Sequence, residues 1–156
     1  METIVHTAHV VLAGAWLGGV VFTTFVVSPA FANMRWDETE RVQVRSAVGK
    51  QYAKVGGANL ALLAVFAILD GAFGGFGLYL SVEYALLAMV IGLVAAHGAY
   101  FGRRLAALAA GEQEAKGTEA AAALARRRRS LQKLSLRASR LDLLLSAAVA
   151  VLAVSA

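Results

Sequence analysis

Apolar residues in this chain come in long unbroken stretches. Runs of about twenty, the length an α-helix needs to cross a bilayer core, extend from Ile4 to Val27, from Val55 to Phe76 and from Tyr79 to Phe101. A shorter fourth runs from Leu141 to Ala156. Leu, Ala and Gly fill these runs, and no two-residue alternation supports barrel strands. Because only helices or closed barrels satisfy their backbone in lipid, the pattern predicts an all-α integral membrane protein. Residues 1–156 are expected to form a single four-helix up-and-down bundle, in which a short link makes helices two and three antiparallel neighbours.

Between the runs the pattern changes. Residues 30–54 mix both charge signs with Trp36, Val42, Val44, Val48 and Tyr52, which predicts an amphipathic helix on the membrane surface. Residues 102–140 contain a flexible AAGEQEAKG, and then a helix that runs on into helix four as its cytoplasmic extension.

Charge adds orientation. All fifteen Lys and Arg of this 156-residue chain, which give it a net charge of +5, sit in those two segments. The first holds Arg35, Arg41, Arg45, Lys50 and Lys54; the second runs from Arg103 to Arg140. Under the positive-inside rule both segments are cytoplasmic and both termini face outward. Arg126, Arg127, Arg128 and Arg129 then serve as a topology anchor that contacts anionic lipid headgroups, and nucleic acid is not the expected partner. The first run is not read as a cleaved signal, because it has no basic residue before Arg35 and is too long. Cysteine is absent, which excludes disulfides, thiolate metal sites and cysteine-attached haem.

Ionisable side chains inside an apolar span are costly and mark candidate sites. Helix rise places His9 about 8 Å, Glu83 about 6 Å and Asp70 about 9 Å below the outer ends of their helices, with His6 nearer the surface. His6 and His9 project from one face of helix one. Two imidazoles and two carboxylates at one level suit a borderline divalent ion such as zinc or copper, or a proton relay. His6, His9, Asp70 and Glu83 are therefore the candidate metal ligands. Asn59, His97, Tyr100 and Asp142 form a second, inner polar set, in which His97 is expected to bond Asn59 or Asp142, and Arg140 to pair with Asp142 or reach the interface. His9 and His97 lie about 20 Å apart in depth by helix rise, so they cannot hold one iron between them, and haem is not expected within a single chain.

Small residues four apart mark close helix contacts: Gly14 and Gly18, Gly71 and Gly75, and Gly98 and Gly102. Such faces serve packing within the chain or contacts in a homo-oligomer or membrane complex, and Trp16 is expected to pack beneath the candidate site. No activated nucleophile, nucleotide loop or redox motif is visible, which argues against an enzyme.

The stretch HVVLAGAWLGGVVFTTFVVSPAF, His9 to Phe31, resembles the first helix of small four-helix membrane domains related to the copper-resistance protein D family. QYAKVGGANLALLAVFAILDG, which follows, resembles the uncharacterised relatives of that group. The resemblance implies a copper-handling role at a bacterial inner membrane, with His9 and His6 as metal ligands. The chain departs from that pattern in lacking Cys, in scattering Met1, Met34 and Met89, and in having only four spans; the soft donors that favour Cu(I) are missing. The resulting expectation is a prokaryotic plasma-membrane protein that binds or passes a metal ion, copper by resemblance and zinc by ligand type. The alternative is a non-catalytic structural or accessory subunit of a larger membrane complex associated with haem or quinone.

Overall fold

The computed structural model describes residues 1–35 and 38–155, and no strand occurs among the described residues. Trp36, part of the expected surface helix, lies outside them. Helix α1 (Glu2–Phe22) continues through a π-helical segment (Thr23–Val27) into α2 (Ser28–Asn33). Pro29 explains the widened turn: it has no N–H to give to the carbonyl one turn back, and its ring crowds that carbonyl. Side chains satisfy the disturbed backbone. Thr23 Oγ1 donates to the carbonyls of Gly19 and Val20, and Ser28 Oγ donates to the carbonyl of Thr23 at 2.9 Å. The helix thus continues past Pro29 to Asn33, beyond the apolar run that ends at Val27.

Helix α3 (Glu38–Gly74) is continuous over 37 residues, so residues 38–54 of the segment expected as a surface amphipathic helix form its first part. It stops at Gly75, whose φ of +90° is cheap only for glycine. Helix α4 (Leu78–Ala96) leads through a second π-helical segment (His97–Gly102) into α5 (Arg103–Glu114). Gly117, with φ +88°, turns the chain into α6 (Glu119–Ser155), which carries the expected extension and the fourth apolar run as one helix. Four helical stretches are long and apolar enough to cross a membrane: Glu2–Phe31, Ser46–Gly74, Leu78–Glu114 and Glu119–Ser155. Their outer faces leave Phe25, Ile68, Leu144 and Val151 at least 60% exposed, as lipid-facing side chains are.

Contacts divide the chain into two compact units, residues 1–89 with 143–156, and residues 90–142. In the first, each helix buries one stripe at the three-and-four spacing of an α-helical face. Val5, His9, Ala13, Trp16 and Val20 come from α1, Leu60, Leu63, Ala67 and Asp70 from α3, Leu80, Glu83 and Leu87 from α4, and Ser146, Val149 and Ala153 from α6. Helices α1 and α3 are antiparallel: Asn59 Nδ2 donates to the carbonyl of Leu12, while Asp70 meets His6 and His9 near the start of α1. In the second unit α5 and the first part of α6 form a helical hairpin. Arg128 bonds Glu112 at 2.8 Å, and Gly111 faces Leu124.

Candidate functional site

The site is built from one turn of each of three helices in the first unit. On α1 the spacing of His6 and His9 aims both rings at α3, where Asp70 stands just before the Gly75 turn. A single oxygen, Oδ2 of Asp70, lies 2.9 Å from Nδ1 of His6 and 2.9 Å from Nδ1 of His9. The other edge of the His9 ring faces α4, with Nε2 2.8 Å from Oε1 of Glu83. The four side chains therefore form one connected network, His6 to Asp70 to His9 to Glu83. All four predicted ligands are brought together.

Burial rises along that network. The side chain of His6 is 36% exposed and that of Asp70 8%, while His9 and Glu83 are fully enclosed. Above it a cavity of about 340 Å³ opens between the start of α1 and the α3–α4 turn, lined by Glu2, Thr3, His6, Asp70, Tyr79 and Leu80 among others. Oε2 of Glu83 is buried without a hydrogen-bond partner. Two carboxylates in an apolar setting carry a large desolvation cost that only close partners offset; His9, held on both ring nitrogens, meets both of them, and His6 shares Asp70. The donor atoms of His6, His9 and Asp70 all lie within 4.8 Å of one another. Glu83 stands on the far side of the His9 ring, so it supports that ring and does not join the same donor cluster.

Neighbours fix the arrangement. Tyr84 Oη donates to the carbonyl of Ala67 at 2.6 Å, tying α4 to α3 one turn from Asp70. Gly71 allows this approach: a Cβ there would sit 2.5 Å from Tyr84 Oη and 2.9 Å from Leu80 Cδ2. Trp16, expected beneath the site, is 3% exposed and donates its indole N–H to Ser146 Oγ at 2.9 Å, bringing in α6. Neither Ser146 nor Tyr84 was singled out in the sequence. A lone hydroxyl inside the apolar run LLLSAAVAVLAV was the available signal for the first.

The inner polar set is divided between the two units, Asn59 in the first and His97, Tyr100 and Asp142 in the second. Asn59 is spent on the Leu12 carbonyl. His97 Nε2 lies 3.4 Å from Ser135 Oγ, and its ring tilts against Phe101. Tyr100 is 57% exposed and meets Phe101 edge-on. Asp142 keeps a buried Oδ1 without a hydrogen-bond partner, and Arg140 is exposed.

Within the chain, the glycine faces expected on helices one and three make no close helix contact. A Cβ at Gly14, Gly18 or Gly98 would meet nothing within 4 Å, and at Gly102 only the His97 carbonyl at 3.8 Å. Gly14 and Gly18 lie off the buried stripe of α1, on its exposed face. The close approaches occur instead at Gly19 and Gly56, against Tyr52 and, for Gly56, Trp16 as well, and at Gly71. Of the four consecutive arginines, Arg128 is engaged by Glu112, and Arg126, Arg127 and Arg129 are exposed.

Comparison with known proteins returns one relationship. The sequence profile of a family described as a domain of unknown function (DUF4149) matches residues 11–114, well over half of the 156-residue chain. No curated protein and no solved structure matches.

Proposed function

The chain belongs to the DUF4149 family, and from the geometry of its buried network we propose that it is a membrane protein that binds a divalent transition-metal ion through His6, His9 and Asp70. One observation carries this reading: three donor atoms of types that suit such an ion, on two helices, lie within 4.8 Å of one another beside an open cavity. Tetrahedral ligands at about 2.0–2.1 Å from zinc stand about 3.3 Å apart. The two separations to Asp70 Oδ2, each 2.9 Å, would widen by a few tenths of an ångström, and the two imidazole donors, within 4.8 Å of one another, would settle towards the same spacing. Glu83 would accept the Nε2–H of His9 and so orient the ligand, the role that outer carboxylates have behind metal-bound imidazoles.

Two imidazoles and a carboxylate favour zinc or copper(II) over softer ions. The family match does not connect the chain to the copper-resistance protein D group, so the choice of ion rests on donor chemistry, with copper retained from the likeness of helix one. The proposed setting is a prokaryotic plasma membrane with both termini outside, supported by the confinement of Lys and Arg to residues 35–54 and 103–140. Anionic headgroups are the proposed partners of the exposed arginines in the second segment.

Elemental analysis of detergent-purified protein tests the reading. About one equivalent of zinc or copper is expected, and it should be lost in both His6→Ala and His9→Ala. The network's closed hydrogen bonds favour a second reading, in which the four side chains only brace three helices in a structural or accessory subunit. A metal-free preparation that also fails to take up either ion on titration would leave that reading standing.

A further inference from the structure

We infer that this site is a one-sided receptor: cations reach it and leave it through a single mouth, Glu2 captures them there, and the bundle beneath offers no onward path. This rests on the metal reading above.

The walls of the 340 Å³ cavity carry Glu2 and Asp70 and no Lys or Arg. Glu2 extends its carboxylate over the α3–α4 turn, where Oε1 would lie 3.8 Å from a Cβ on Gly74. A cation in the mouth thus meets a solvated carboxylate first and the His6–Asp70 pair next. Acidic walls of this kind raise the local cation concentration and speed association.

The far side differs in kind. Ala13 and Trp16 follow His9 along α1 at about 6 and 10 Å by helix rise, and they are 1% and 3% exposed. The matching positions are Ala67 and Leu63 on α3, both 0% exposed, and Leu87 on α4 at 4%. At that depth the Trp16 indole N–H donates to Ser146 Oγ, and Asn59 Nδ2 donates to the backbone carbonyl of Leu12. A divalent ion that left His9 in this direction would exchange imidazole and carboxylate ligands for a close-packed, largely apolar layer, at prohibitive cost. Glu83, whose Oε2 is unpartnered, stands at the top of that layer.

Reconstitution into vesicles with a zinc-sensitive dye inside tests this, with zinc ion added outside as the only probe. The expected result is near-stoichiometric zinc on the protein and a luminal signal no faster than in protein-free vesicles. A protein-dependent luminal rise that His9→Ala removes would overturn the one-sided inference and leave the site intact. Absence of zinc binding would instead overturn the site itself. Stopped-flow binding tests the mouth: Glu2→Gln should slow association several-fold at low salt, converge with the parent at high salt and still fill at saturation. An unchanged association rate would remove Glu2 from the proposal.

Discussion

His9 and Glu83 meet edge to oxygen at 2.8 Å, with neither side chain exposed at all. His9 also reaches Asp70, but Glu83 has His9 as its one hydrogen-bond partner among the described residues, so trimming His9 strands a buried carboxyl group. Replacing His9 by Ala should lower stability by about 3–5 kcal/mol, the range for breaking a buried ion pair. His6→Ala, at a half-exposed position, should cost about 1 kcal/mol, the worth of one hydrogen bond. Thermal unfolding in a fixed detergent checks the ordering, and similar losses for the two variants would contradict it.

Glu83→Gln separates orientation from coordination. The amide still fills the space and bonds the ring, so the fold should hold. Metal affinity should fall about 10–100-fold, the usual effect of weakening an outer partner. Asp70→Asn removes a proposed ligand and should abolish stoichiometric uptake. Competition titrations against a chromogenic chelator give both numbers.

Gly71 and Gly14 make a matched pair for packing. Gly71→Ala forces Tyr84 and Leu80 to shift and should cost about 1–3 kcal/mol, as overpacking does. Gly14→Ala meets open space and should stay within about 0.5 kcal/mol of the parent. Chemical denaturation of both variants is the check, and a destabilised Gly14→Ala would show that the exposed face of α1 is covered in the native assembly.

Ser146→Ala leaves the Trp16 indole N–H buried without an acceptor. It should destabilise by about 1–3 kcal/mol, while Trp16→Phe, which removes the donor, should restore part of the loss in the double variant. A double-mutant cycle gives the coupling.

The absence of native cysteine allows a direct test of orientation. Thr3→Cys and Gly74→Cys should react with an impermeant thiol reagent in intact cells, and Arg127→Cys should not. Arg127 is preferred to Arg128 because the latter is tied to Glu112. Labelling of all three sites, or of Arg127→Cys alone, would invert or dismiss the proposed topology.

Much of this architecture was legible in the chain before any coordinates. Run length marked four helices long and apolar enough to span a membrane, and helix rise, taken with the orientation that the basic residues imply, placed His6, His9, Asp70 and Glu83 near one level, because depth along a helix is fixed by residue count. Rotation about each helix axis is not fixed that way. It depends on which stripes bury against which, and so the sharing of Asp70 Oδ2 by two rings, and the position of Glu83 behind His9, could not be read off. For the same reason spacing alone could not show that Gly14 and Gly18 lie off the buried stripe of α1 within the chain. His97, Asn59 and Asp142 were grouped by depth too, yet each has its own local surroundings.

The single oxygen of Asp70 that serves both His6 and His9 also constrains motion. Two rings clamped on one point act as a spline between α1 and α3: neither helix can swivel or slide past its neighbour without breaking both contacts together. Any rearrangement in this part of the molecule must therefore carry that pair as one rigid strut and take its freedom elsewhere.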